Sequence, residues 1–176
     1  MLKGIVLPTL LGCAAADYPA CSAKPNSGSG NNFVQKFYYD PVWNTCFAFK
    51  YGGTGGNFYG SRHECERRCK TMDGPVCSGP GKNSAGPIFG NGPPTFPSYC
   101  WDDVSCPKNY SCFNGMSSPH CCLTFNKEAY AQGNAKTCPN GVAAAGENQS
   151  YFLVTVGKSC NNLICGSGYA CQQVNQ

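Results

Sequence analysis

Cysteine spacing constrains this chain before any other feature. Fifteen cysteines stand in 176 residues. After an early one at Cys13 they form three groups: Cys21, Cys46, Cys65 and Cys69; then Cys77, Cys100, Cys106, Cys112 and the adjacent pair Cys121-Cys122; then Cys138, Cys160, Cys165 and Cys171. A cysteine share above about 8% in a short chain points to a disulfide-stapled scaffold, because small domains bury too little apolar surface to fold unaided. The 22 glycines and 13 prolines exclude long amphipathic helices and one large core. Net charge is +4, and the basic residues are scattered. Nucleic-acid binding wants a clustered basic face, so no nucleic-acid partner is expected.

The N-terminus indicates the compartment. Met1-Leu2-Lys3 is a cationic start, Gly4 to Leu11 a mostly apolar stretch broken by Pro8, and Ala14-Ala15-Ala16 a run of small residues. Residues 1–16 are therefore expected to be a secretory signal peptide, too short for a stable membrane anchor. Cleavage after Ala16 removes Cys13 and leaves an even 14 cysteines, and the expected product is secreted, with no membrane partner. Asn109-Tyr110-Ser111 and Asn148-Gln149-Ser150 are N-glycosylation acceptors on that route.

Within the first group, Phe33 to Tyr39 reads as a strand and Thr45 to Tyr51 as its partner, by aromatic and β-branched content. Asp40-Pro41 begins the turn between them. Ser61-Arg62-His63-Glu64 is a capping box, with Ser61 as N-cap and Glu64 reaching back to it. A short helix follows, with Cys65 and Cys69 one turn apart on one face and His63 exposed.

The spacing of Cys21, Cys46, Cys65 and Cys69, with Phe37-Tyr38-Tyr39, Phe49-Lys50-Tyr51-Gly52-Gly53 and Asn57-Phe58 around them, resembles the Kunitz (bovine pancreatic trypsin inhibitor type) domain. That family has six cysteines, paired first to sixth, second to fourth and third to fifth. The second and fourth places hold Gly30 and Thr54 here, so both halves of one bridge are absent together. The resemblance implies bridges Cys21–Cys69 and Cys46–Cys65. Loops of these sizes are worth roughly 3–4 kcal/mol each on the chain-entropy account, and the missing bridge forgoes about 3.5 kcal/mol. It also implies an exposed contact loop of Gly28, Ser29, Gly30, Asn31, Asn32, Phe33 and Val34, supported by Gly53 and Thr54. Asn31 would occupy the primary specificity place, making Asn31–Asn32 the reactive bond. A neutral Asn31 does not suit trypsin-like enzymes, which want Lys or Arg. The span from Cys46 to Cys65 is two residues shorter than the family pattern.

Groups two and three are versions of one another. Their first four cysteines are separated by 22, 5 and 5 residues, and by 21, 4 and 5. Cys106-Pro107-Lys108-Asn109-Tyr110-Ser111-Cys112 aligns with Cys165-Gly166-Ser167-Gly168-Tyr169-Ala170-Cys171. Such a repeat implies one structural unit used twice. A full copy would place a Cys-Cys pair after Cys171, beyond Gln176, so the second unit is either part of a longer tandem or makes do with four cysteines. The long first gap, the Cys-Pro-x-x-Tyr-x-Cys segment and Cys121-Cys122 resemble the lustrin-type cysteine-rich module. Six cysteines allow 15 pairings, which remain open at this point.

The expected fold class is small, disulfide-rich α+β: a Kunitz-like twisted β-hairpin with a C-terminal helix, then loop-rich cysteine-rich repeats. Its expected divisions are 1–16 signal peptide, 17–70 Kunitz-like domain, 71–76 linker, 77–122 first repeat, 123–137 linker and 138–176 incomplete second repeat. Ser78 to Ser98, dense in Gly, Pro, Ser and Asn, reads as a loop. His120 beside Cys121-Cys122 suggests no metal site, because secreted cysteines oxidise. Asp102-Asp103 is a turn rather than an acid/base pair, and no constellation for enzymatic catalysis or a cofactor is present. The expected function is a secreted serine-type endopeptidase inhibitor, or a degenerate one, whose partner is a serine protease. A structural extracellular protein using both modules as scaffolds is the rival. A channel-blocking toxin would need a clustered basic face, which the scattered Lys and Arg do not supply.

Overall fold

The computed structural model describes residues 21–56, 58–70, 77–81, 84–85, 100–114 and 119–173. The expected signal peptide, the 71–76 linker and most of the 78–98 loop lie outside the described residues.

The first unit is a hairpin and a helix, as its alternation and capping residues imply. Strand β1 (Val34–Asp40) runs antiparallel to β2 (Thr45–Tyr51), with Phe37 opposite Ala48 and Tyr39 opposite Cys46. Asp40 shapes the turn: its carboxylate accepts from the backbone N–H groups of Val42 and Trp43 at 2.9 and 3.1 Å, and Asn44 takes the left-handed conformation (φ 46°). Helix α1 (Arg62–Cys69) starts at Ser61, whose hydroxyl accepts from the Glu64 N–H at 3.0 Å. The Glu64 carboxylate does not return to Ser61 as the capping box suggests. It accepts from the Gly60 N–H at 3.0 Å, one residue upstream. Gly60 leaves room for this, since a Cβ there would sit 3.3 Å from the carboxylate oxygen.

Cys21–Cys69 and Cys46–Cys65 tie the N-terminal segment and the hairpin to α1, with Cα–Cα distances of 5.3 and 6.1 Å. Around them Phe37, Ala48 and Tyr59 form the core. Tyr59 is 3% exposed, and burial pushes its phenol above the ordinary pKa.

The second unit holds a three-stranded antiparallel sheet in the order β3 (Ser84–Ala85), β5 (Pro119–Leu123), β4 (Tyr110–Asn114). Strand β3 falls in the stretch read as loop; its two residues gain order by pairing with Cys121 and Cys122 on β5. Three bridges settle the open connectivity: Cys77–Cys122, Cys100–Cys112 and Cys106–Cys121. Helix α2 (Thr124–Gly133) follows directly, inside the stretch expected as a linker. Its Lys, Glu, Ala and Gln are strong helix formers.

The third unit is a short hairpin, β6 (Gly146–Asn148) and β7 (Phe152–Val154), followed by a segment closed by Cys160–Cys171. It folds back onto the first. Val156 accepts a 2.7 Å hydrogen bond from the Ala48 N–H, and Leu163 packs on the first core. The β6–β7 hairpin covers the start of α1, where the Glu147 carboxylate accepts from the N–H groups of Arg62 and His63 at 2.9 and 3.2 Å. That contact satisfies donors a helix cannot satisfy itself. His63, expected to be exposed, is 7% exposed under this cover, with the Tyr151 ring edge-on at 4.7 Å. Arg62, 1% exposed, reaches Glu66 at 2.9 Å, Thr45 at 3.0 Å, Asn134 at 2.7 Å and the Val154 carbonyl. One guanidinium thus joins the hairpin, the helix and both later units.

Candidate functional site

The candidate site is the end of the first unit where the chain enters β1 and leaves β2. Residues 28–34 run along this end, and Ser29, Asn31, Asn32, Phe33, Val34 and Thr54 are exposed. Two side chains usually buried, Phe33 and Val34, stand about half exposed at 51% and 50%. The loop is held from beneath by glycine backbones. Gly28 is left-handed (φ 70°), and its N–H donates to Asn26 Oδ1 at 3.0 Å. The Gly52 N–H donates to the Ser27 carbonyl at 2.7 Å. Gly30 and Gly52 touch so closely that a Cβ on either would run into the other's carbonyl oxygen. Gly53 (φ 112°) provides the turn that only glycine enters readily.

By the Kunitz resemblance, Gly30 and Thr54 hold the two places of the absent bridge. The structure sets Gly30 against Gly52 instead, while the Thr54 hydroxyl meets the Ser29 hydroxyl at 2.7 Å. A hydrogen bond between two exposed side chains therefore stands where a covalent clamp would. Its net worth is about 0.5–1.5 kcal/mol, against about 3.5 kcal/mol for a bridge closing a loop of this size. The sequence reading missed Ser29 as a brace, because a hydroxyl pair 25 residues apart leaves no spacing signal. Next to Thr54 in the chain, the Tyr51 hydroxyl donates to the Gly55 carbonyl at 2.5 Å, and the Tyr51 and Phe58 rings pack with centroids 4.3 Å apart, tilted by 47°.

Chemistry elsewhere is accounted for. The sulfurs of Cys100, Cys106 and Cys121 lie within 4.8 Å of one another, but each is spent in a disulfide, so none offers a thiolate to a metal. Asp102 accepts from the Ser105 N–H and hydroxyl at 2.9 and 2.6 Å. The hydroxyl contact, then the backbone one, holds its carboxyl below the ordinary range. Asp103 accepts from the Cys112 N–H at 2.7 Å. Both acids are turn builders.

Residues 20–70 match the model of the Kunitz/bovine pancreatic trypsin inhibitor domain. Over 58 residues the chain is 40% identical to a Kunitz-type serine protease inhibitor homolog, the beta-bungarotoxin BF B2 chain of Bungarus fasciatus, covering 32% of this chain and 68% of that one. This chain belongs to the Kunitz family. Two longer likenesses extend past the Kunitz unit. The Major allergen Ani s 1 of Anisakis simplex is 29% identical over 140 residues, 78% of this chain and 70% of the allergen. A BPTI/Kunitz inhibitor domain-containing protein of Caenorhabditis elegans is 26% identical over 159 residues, 88% of this chain and 84% of the relative. The Kunitz unit carries two of the family's three disulfides and is followed by further cysteine-rich sequence. Kunitz inhibitors are not catalysts, and this chain is not an enzyme. Among the described residues no helix is long and apolar enough to cross a membrane.

Proposed function

We propose that this protein is a secreted serine-type endopeptidase inhibitor whose partner is a serine protease. Residues 28–34 enter the enzyme's cleft as a substrate would, with Asn31–Asn32 as the bond presented and Gly53 and Thr54 backing it. The observation that carries this reading is the exposed loop braced by the Gly28–Gly30 and Gly52–Gly53 backbones within a Kunitz unit. A loop already ordered loses less freedom on binding, which favours affinity. Residues 77–122 and 138–176 are lustrin-like repeats in this proposal, and Asn109 and Asn148, both exposed, carry the glycans.

A second reading, an extracellular scaffold with a retired contact loop, is favoured by the Ser29–Thr54 contact, which is non-covalent and open to water. The full secreted chain and its Asn31→Arg variant, assayed against trypsin-, chymotrypsin- and elastase-like enzymes, separate the two. A neutral Asn31 gives little trypsin inhibition. Arginine reaching the acidic pocket of trypsin-like enzymes adds a charge-assisted contact of about 1.5–3 kcal/mol, roughly a 10- to 150-fold gain. If Asn31→Arg stays inert and the parent inhibits none of the three classes, the scaffold reading replaces the first.

A further inference from the structure

The two repeats match in the structure where their sequences match. Cys160–Cys171 is the counterpart of Cys100–Cys112. Before the last cysteine of each, the same turn appears. The Tyr110 N–H donates to the Pro107 carbonyl at 2.9 Å with Asn109 left-handed (φ 72°), and the Tyr169 N–H donates to the Gly166 carbonyl at 3.1 Å with Gly168 left-handed (φ 84°). Cys138 and Cys165 therefore correspond to Cys77 and Cys106, whose sulfurs are taken by Cys122 and Cys121 on β5. Cys138 and Cys165 are free, and no described strand pairs with residues 169–173.

Exposure tells the same story. Cys106 is 7% exposed and Cys77 6% exposed where β5 covers them, whereas Cys165 is exposed and Cys138 half-buried. Tyr110 packs against the core of its unit, and its counterpart Tyr169 is 49% exposed. Cys138, Cys165 and Tyr169 all line one open cavity of about 1230 Å³.

We propose that the third unit is a covalent docking site for an extended strand carrying two adjacent cysteines, supplied by another cysteine-rich polypeptide. The strand lies along residues 169–173 as β5 lies along β4. Its first cysteine bridges to Cys165 and its second to Cys138. Each bridge joins two thiols, which together lose two protons and two electrons. A small-molecule disulfide such as oxidised glutathione accepts them and leaves as two thiols.

The test uses the full secreted chain and a synthetic peptide copying residues 117–126, which holds the Cys121-Cys122 pair. Native alkylation should label Cys138 and Cys165. In a glutathione redox buffer the peptide should be captured, with a mass gain equal to the peptide less four hydrogens and loss of both labels. Cys138→Ser should still capture it through Cys165, leaving one peptide thiol open to alkylation. A peptide with the same cysteine pair in scrambled flanks should react at least tenfold more slowly, because it cannot pair as a strand. Overturning results are a direct Cys138–Cys165 bridge, a bridge from either residue to another cysteine of the same polypeptide, a bridge through either residue between two copies, or equal capture of the scrambled peptide.

Discussion

Thr54 and Gly30 hold the places of the absent bridge, and Thr54 meets not Gly30 but its neighbour Ser29, in one hydrogen bond of 2.7 Å. The geometry makes a specific forecast. Ser29→Cys with Thr54→Cys replaces two hydroxyls 2.7 Å apart by two thiols whose side chains already face each other. Gly30→Cys with Thr54→Cys drives a side chain into the Gly52 carbonyl. The first pair is expected to oxidise and raise the melting temperature; the second is expected to bridge poorly or lower it. Calorimetry of the two double variants and the parent decides the order. The first pair should also lengthen the half-life of the Asn31–Asn32 bond with any protease that engages the loop. The place of the gap was legible through the resemblance to the Kunitz cysteine pattern. What fills it was not, since a one-residue shift of side-chain contact is a matter of local backbone path, which spacing does not encode.

At the level of elements, β1, β2 and α1 follow closely from alternation, the Asp40-Pro41 turn and the Ser61 cap. Each of these signals is local. The burial of α1's first residues is not local, because it depends on Glu147, 85 positions after Arg62. His63 reads as an ordinary exposed helix residue until β6 and β7 are laid over it. Removing the buried Arg62 cation leaves the Glu66 carboxylate, 6% exposed, with only the weaker contacts of the Lys70 ammonium at 3.7 Å and the Thr45 hydroxyl at 3.4 Å. Arg62→Met is expected to destabilise by about 3 kcal/mol. Glu147→Gln keeps the size and weakens only the helix cap, at about 1 kcal/mol. Urea midpoints rank the two; a smaller loss for Arg62→Met than for Glu147→Gln would contradict the arrangement.

Across the whole molecule, the repeat predicted a unit used twice, and the second copy has a different neighbour. Its apolar residues follow neither a helical nor a sustained alternating period, so nothing in their pattern showed that Leu163 would join the first core. The ion pair of Lys158 with Asp40, at 2.5 Å, ties this third unit to the β1–β2 turn. Partial burial lowers the Lys158 pKa, but its hydrogen bond to Asp40 and the attraction of Tyr38 and Asp40 outweigh that, and the net shift is upward from 10.5. A raised pKa means the contribution is complete below pH 10.5 and fades as pH rises through the folded value. The lysine is half exposed, so the contribution is held under about 1 kcal/mol. With free thiols first alkylated, Lys158→Met should unfold at lower urea than the parent at neutral pH, and the gap should narrow above pH 10.5. A gap that stays constant there would assign the effect to packing of the lysine stem.

At the level of Phe37 and Ala48, four lengths of chain lie side by side. Tyr59 exchanges hydrogen bonds of 3.1 and 2.7 Å with Phe37 on one flank, and Val156 accepts from Ala48 on the other. A two-stranded ribbon otherwise presents open polar flanks that recruit further strands and seed aggregation. Here both flanks are filled by distant parts of the same polypeptide. The hairpin is thereby barred from growing sideways into stacks of its own kind, and its loop end remains open to solvent. Shortening the protein before Val156 would uncover the Ala48 flank of the ribbon and invite foreign strands, without touching a single residue of the loop.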